Sequence, residues 1–129
     1  MKRIHLIAVA VCVLAGAGAG FAYQELRAPP SSAVVQTGDY SAYLPEDGRK
    51  VVFYSLSTCQ FCNLTRALLE ENAVAYDERK LDADEAFLEQ AHALNARSVP
   101  LLLVGGHKIE GYDEARILAV LEQERFLER

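Results

Sequence analysis

Val51-Val52-Phe53-Tyr54-Ser55-Leu56-Ser57-Thr58-Cys59-Gln60-Phe61-Cys62 passes within twelve residues from an apolar run to a pair of cysteines. Val51 to Tyr54 is short, apolar and β-prone, which suits a strand buried in a sheet. Ser57-Thr58-Cys59 breaks that run. Phe61, Leu64, Leu68 and Leu69 then recur at i, i+3, i+7 and i+8, the spacing of an amphipathic helix that ends near Asn72. A Cys-x-x-Cys pair at such a junction puts both sulfurs near the first helical turn, close enough to bond. Cys59 falls at the helix N-terminus, where unpaired backbone N–H groups and the helix dipole favour an anion. That setting makes a thiolate available at neutral pH. Cys62, one turn inward, is expected to be less exposed, and Thr58 is a candidate N-cap. The predicted roles are attack by Cys59 on a substrate disulfide, then attack by Cys62 on Cys59 to release the product.

Beyond this stretch, Val74 and Tyr76 alternate with polar residues, predicting a second strand toward Arg79. Asp82 with Glu85 three residues on resembles a capping box. Phe87, Ala91 and Leu94 mark one face of a second helix, which Asn95 closes. Leu101 to Val104 reads as a third strand, Gly105-Gly106 as a hairpin turn and His107 to Glu110 as a fourth strand. Asp113 caps a last helix whose Ile117, Leu118 and Leu121 face inward. The order βαβαββα argues for a layered α/β domain with a mixed sheet. The charged run Asp77 to Lys80 reads as a solvated strand edge. Asp82, Asp84, Glu85 and Glu89 read as a solvated helix face.

At 129 residues and 14.2 kDa the chain has room for one small domain. An apolar fraction of 51% and a mean hydropathy near zero exclude wholesale disorder and a multi-span membrane protein. A net charge of −5 offers no basic footprint for nucleic acid. Lys2 and Arg3 precede 21 residues without Asp, Glu, Lys or Arg, from Ile4 to Gln24. That run is long enough to span a bilayer. Its basic start and its small residues from Ala15 to Gly20 also fit a secretory signal. Residues 1–27 are therefore expected to be a signal anchor or a signal peptide. Either places the rest of the chain outside the cytoplasm, in the periplasm of a two-membrane bacterium. Residues 28–48 are expected to be a Pro/Ser/Ala/Gly-rich linker, within which Tyr40, Tyr43 and Leu44 are candidates to pack on the domain. The folded domain is expected over 49–129.

Cys12, Cys59 and Cys62 are the only cysteines, too few for a disulfide scaffold. The competing reading of Cys59 and Cys62 is half of a metal site. Zinc takes about four ligands, and the domain adds only His92 and His107, on different predicted elements. No metal is expected. The alternative function is a non-catalytic module that binds or delivers copper or zinc through the cysteine pair.

Ser98-Val99-Pro100 opens the third strand, and X-Pro pairs are where cis peptide bonds occur. Together with Tyr54 to Cys62 and with Gly111-Tyr112-Asp113-Glu114, it makes the stretch from Val51 to Glu122 resemble a glutaredoxin. Tyr54 to Cys62 looks like that family's strand-to-active-site segment, Ser98-Val99-Pro100 like its Thr-Val-Pro loop, and Gly111 to Glu114 like its Gly-x-Asp-Asp motif. The resemblance implies a thioredoxin-like fold, a four-stranded mixed sheet flanked by helices, and thiol–disulfide oxidoreductase activity. Cys59 and Cys62 would be catalytic. Thr58, Phe61, Ser98, Val99, Pro100, Gly111, Tyr112 and Asp113 would bind substrate or glutathione. In that scheme the Val99 backbone pairs with the cysteinyl part of glutathione, the Tyr112 backbone and Asp113 hold its γ-glutamyl end, and Phe61 packs on the tripeptide. No bound cofactor is implied. Glutathione is a candidate co-substrate, and disulfide-containing proteins are the substrates. The membrane, through the N-terminal segment, and a membrane electron donor are candidate partners. Leu56 departs from the pattern, because the family commonly has Lys or Arg three residues before the first cysteine. One lost cation facing a carboxylate is worth about 0.5–2 kcal/mol.

Overall fold

The computed structural model describes residues 33–127. Strand β1 (Val34–Thr37) leads through a 3-10 turn at Ser41–Tyr43 to β2 (Val51–Ser55) and helix α1 (Gln60–Glu71). Strand β3 (Asp77–Lys80), helix α2 (Glu85–Ala93), strands β4 (Leu101–Val104) and β5 (His107–Glu110) and helix α3 (Glu114–Gln123) follow. The sheet order is β1-β5-β4-β2-β3. Only β2 and β3 run parallel; the other neighbours are antiparallel. From β2 onward the order is the expected βαβαββα.

The sheet has five strands, not the four expected. The extra strand, β1, lies in the stretch expected to be a linker, and it pairs Val34 with Glu110 through to Thr37 with His107. Without it β5 would present an open edge, which sheets tend to cover. Val34 and Val35 are β-branched and suit that place. Both ends of β1 are fastened: Arg116 Nη1 donates to the Ala33 carbonyl at 2.8 Å, and Gly38 N donates to the Gly106 carbonyl at 3.0 Å. The expected signal or anchor segment, residues 1–27, lies outside the described residues. Among the described residues no helix is long and apolar enough to cross a membrane.

Every residue of β2 is buried, because both faces of the sheet are covered. Phe53, Leu102 and Ile109 pack with Cys62 and Leu69 of α1 and with Ile117 and Leu121 of α3. Val52, Tyr54, Leu101 and Leu103 form the other layer with Leu94, and Tyr40, Tyr43 and Leu44 pack against it. Asp77 to Lys80 form an edge strand, as expected, with Lys80 exposed, but the strand is not solvated throughout. Arg79 is 9% exposed. It donates to Asp77, to the Tyr54 hydroxyl and to Gln90, and its guanidinium lies over the Tyr54 and Phe87 rings. A strand can bury its charges only where they find partners.

Local signals place the helix ends. Asp113 accepts from Arg116 N at 3.1 Å and caps α3 as expected. Asn95, with φ 54°, closes α2. Asp84, not Asp82, caps α2 by accepting from Ala86 N at 2.9 Å. The buried stripe of α1 is Cys62, Thr65, Leu68 and Leu69. Phe61 and Leu64, expected on that stripe, are exposed and lie on the side of α1 away from the core.

Candidate active site

Antiparallel pairing sets Tyr54 of β2 opposite Leu101 of β4, and Leu101 opposite Glu110 of β5. The segments that follow Ser55, precede Leu101 and follow Glu110 therefore meet at one end of the sheet. They carry the three sequence motifs. Cys59 has extended backbone, φ −103° and ψ 113°, and is itself the N-cap of α1. Its sulfur accepts from Cys62 N at 3.1 Å. Thr58, the expected cap, is exposed and does not fill that role. Cys59 and Cys62 are joined as a disulfide with Cα atoms 5.1 Å apart. Cys62 is fully buried whereas Cys59 is half-buried, the asymmetry that its place one turn inward predicts.

The Val99–Pro100 peptide is cis. Val99 and Cys59 pack against the same core cluster, as does Tyr112. The loop is held from β5: Glu110 Oε1 accepts from Arg97 N at 2.8 Å and from Ser98 Oγ at 3.2 Å. Gly111 N donates to the Pro100 carbonyl at 2.9 Å. Gly111 has φ 93°, a conformation that glycine alone adopts at no steric cost. Phe61 stacks on Tyr112 with ring centroids 6.1 Å apart and forms an exposed aromatic step beside the disulfide. The Asp113 carboxylate is engaged in capping α3, and its other oxygen lies 3.7 Å from Arg116 Nε.

Two further carboxylates shape the site, and sequence patterning missed both. Asp82 accepts from Ser57 N at 3.1 Å and pins the segment leading into Cys59. Glu78 accepts from Ser55 Oγ at 2.7 Å and pairs with Arg66, one turn along α1 from Cys62. The Arg66 guanidinium, helped by the Ser55 hydroxyl and opposed by burial, holds the Glu78 carboxyl below its ordinary 4.5. A depressed carboxylate contributes stability that is present above the unfolded value and lost as pH falls through the folded one. Glu78→Gln is thus expected to flatten the loss of stability below pH 4.5. Urea melts of both proteins at stepped pH check this, and parallel acid limbs would contradict it.

Among the described residues no three His, Cys, Asp or Glu side chains gather to hold a metal ion. A furrow of about 650 Å³ between the end of α1 and the outer side of α3 is lined by Glu71, Ala115, Leu118 and Glu122. It contains neither cysteine nor any residue of the cis-proline loop.

A family model described as Glutaredoxin matches residues 51–109. A probable glutaredoxin of Synechocystis sp. is 34% identical over 67 residues, which cover 50% of this chain and 76% of that relative. The crystal structure of a glutaredoxin from Archaeoglobus fulgidus superposes with a TM-score of 0.52 at 24% identity, over 57% of this chain and 87% of that one. A buckwheat glutaredoxin solved with glutathione gives 0.50 at 19% identity, over 61% and 82%. At these identities the structural likeness shows a common thioredoxin-like fold.

Proposed function

The chain belongs to the glutaredoxin family, and on that footing we propose that it is a dithiol oxidoreductase exchanging electrons with protein disulfides outside the cytoplasm. The observation that carries this reading is a Cys59–Cys62 disulfide at a helix N-terminus, with the outer sulfur accepting a backbone N–H and a cis-proline loop beside it. External thiols open the disulfide: two of them give up two electrons and join to each other, leaving Cys59 and Cys62 as thiols. The Cys62 N–H and the helix terminus favour the Cys59 thiolate. That thiolate attacks one sulfur of a substrate disulfide. A Cys59–substrate bond forms, and the other substrate sulfur leaves as a thiolate and takes a proton. Cys62, deprotonated, attacks the Cys59 sulfur, releases the second substrate thiol and restores the internal disulfide. Run backward, the same steps oxidise a substrate dithiol.

The backbone of Val99 receives the substrate chain in this scheme. Phe61, Tyr112 and Gly111 form the opposite wall, with Thr58, Ser98, Pro100 and Asp113 framing it. Glutathione is the proposed external thiol; a buckwheat glutaredoxin of similar fold was solved in complex with it. The location rests on Lys2, Arg3 and the uncharged run from Ile4 to Gln24. That segment would hold the domain at a membrane or be removed after export. A membrane-bound thiol donor would then be a second route for recharging.

Titrating the full chain in glutathione buffers of stepped ratio tests the reading, with acid quench and mass spectrometry to count thiols. The expected result is one two-electron transition between roughly −270 and −120 mV, the span of known dithiol exchangers. A cysteine pair that stays oxidised at every ratio would contradict it.

A further inference from the structure

Val34, Leu56, Phe61, Leu64 and Leu88 are the large hydrophobic side chains left exposed among the described residues. Leu56 and Leu88 line one groove, of about 200 Å³, with Leu81, Val99 and Leu101 and with the exposed Arg97. The groove lies between the segment that leads into Cys59 and the loop that ends in the cis Val99–Pro100 peptide, with α2 as its outer wall. It adjoins the redox site through Leu56, three residues before Cys59, and through Val99, the residue before Pro100. Its walls are fixed in advance. Asp82 holds Ser57 N at 3.1 Å, Leu81 N donates to the Ser55 carbonyl at 2.9 Å, and Glu110 holds Arg97 N at 2.8 Å.

In the proposed scheme the substrate chain runs along Val99, which places the residue next to the substrate cysteine over this groove. The groove is smaller than the roughly 300–1,000 Å³ of sites that enclose a whole small ligand. It is of the size of one large side chain, and the lining residue on the segment that leads into Cys59 is Leu56, not a charge. We infer that the groove is a specificity pocket for a bulky apolar side chain flanking the cysteine of a polypeptide substrate. The inference rests on the disulfide-exchange reading and names its substrate class. Glutathione has glycine at that place and leaves the groove empty.

The test uses the reduced full chain and short peptides whose single cysteine is flanked by Leu, Phe, Gly, Asp or Lys. Each is supplied as its mixed disulfide with thionitrobenzoate, whose release reports the rate. Leu and Phe peptides are expected to react roughly tenfold faster than the Gly peptide, the worth of partly burying one such side chain. Leu56→Lys and Leu88→Asp, both at surface positions, should each shrink that preference to about twofold or less. Equal rates across the series in the unmodified chain would overturn the pocket while leaving exchange itself intact. Fastest reaction with the Asp peptide would overturn it in favour of Arg97. A preference that survives both substitutions, or loss of all exchange in both, would overturn it too, since a specificity pocket selects side chains without supplying the nucleophile. No reaction with any peptide would instead sink the oxidoreductase reading.

Discussion

Cys59→Ser is expected to lower disulfide exchange by about 10³-fold or more, because a serine hydroxyl at neutral pH is almost wholly protonated where the cysteine offers a thiolate. The effect is on chemistry and not on folding. Cys59 is half-buried, and the disulfide it forms spans a sequence separation of 3, so the loop closed is too short to stabilise much through chain entropy. A serine oxygen can also accept from Cys62 N and preserve the cap of α1. Steady-state assays with a peptide disulfide, paired with a urea melt, separate the two contributions. Retention of more than about a tenth of the rate would show that Cys59 is not the nucleophile.

Phe53→Ala is expected to destabilise the fold by about 3–5 kcal/mol, the usual cost of truncating a fully buried aromatic. Phe53 is 0% exposed at the centre of β2. The Tyr76 ring meets it edge-on at 6.1 Å, and the Arg66 guanidinium lies 6.0 Å from its centroid. Removing it would open a cavity between the sheet and α1, with Cys62 in the same cluster. Small domains hold only about 5–15 kcal/mol in total, so the loss would be a large part of the whole. Phe61→Ala serves as the contrast. Phe61 is 56% exposed, and its loss should cost about 1 kcal/mol or less. Equal costs at the two positions would mean that the packing of α1 on β2 is wrong as described.

Features written in local chemistry were legible from the sequence. The strand from Val51, the hairpin at Gly105-Gly106, the Asp113 cap and the closure at Asn95 each depend on residues a few positions apart, and the structure has all four. The cysteine pair and the Pro100 loop were legible too, because their spacing along the chain survives in the fold. What escaped depends on contacts between distant residues. β1 becomes a strand only because β5 offers it an edge, and nothing in a Pro/Ser-rich neighbourhood announces that. Glu78 and Arg79 look solvated until the neighbouring strand β2 supplies Ser55 and Tyr54, and the helices α1 and α2 supply Arg66 and Gln90, as partners. Asp82 sits where a capping box would place it, but its carboxylate serves the backbone of Ser57, 25 residues away in sequence. Phe61 matched the helical period and still faces out, next to Tyr112. Hydrophobic periodicity cannot tell a core position from an apolar surface beside a reaction site.

The most direct test of the central claim is to incubate reduced Cys62→Ser full chain with a peptide disulfide and weigh the intact protein. The account predicts a single peptide adduct joined to Cys59, persistent because the sulfur that would release it is gone, and dispersed by added thiol. An unmodified mass under conditions where the unsubstituted chain reduces the same peptide would contradict it.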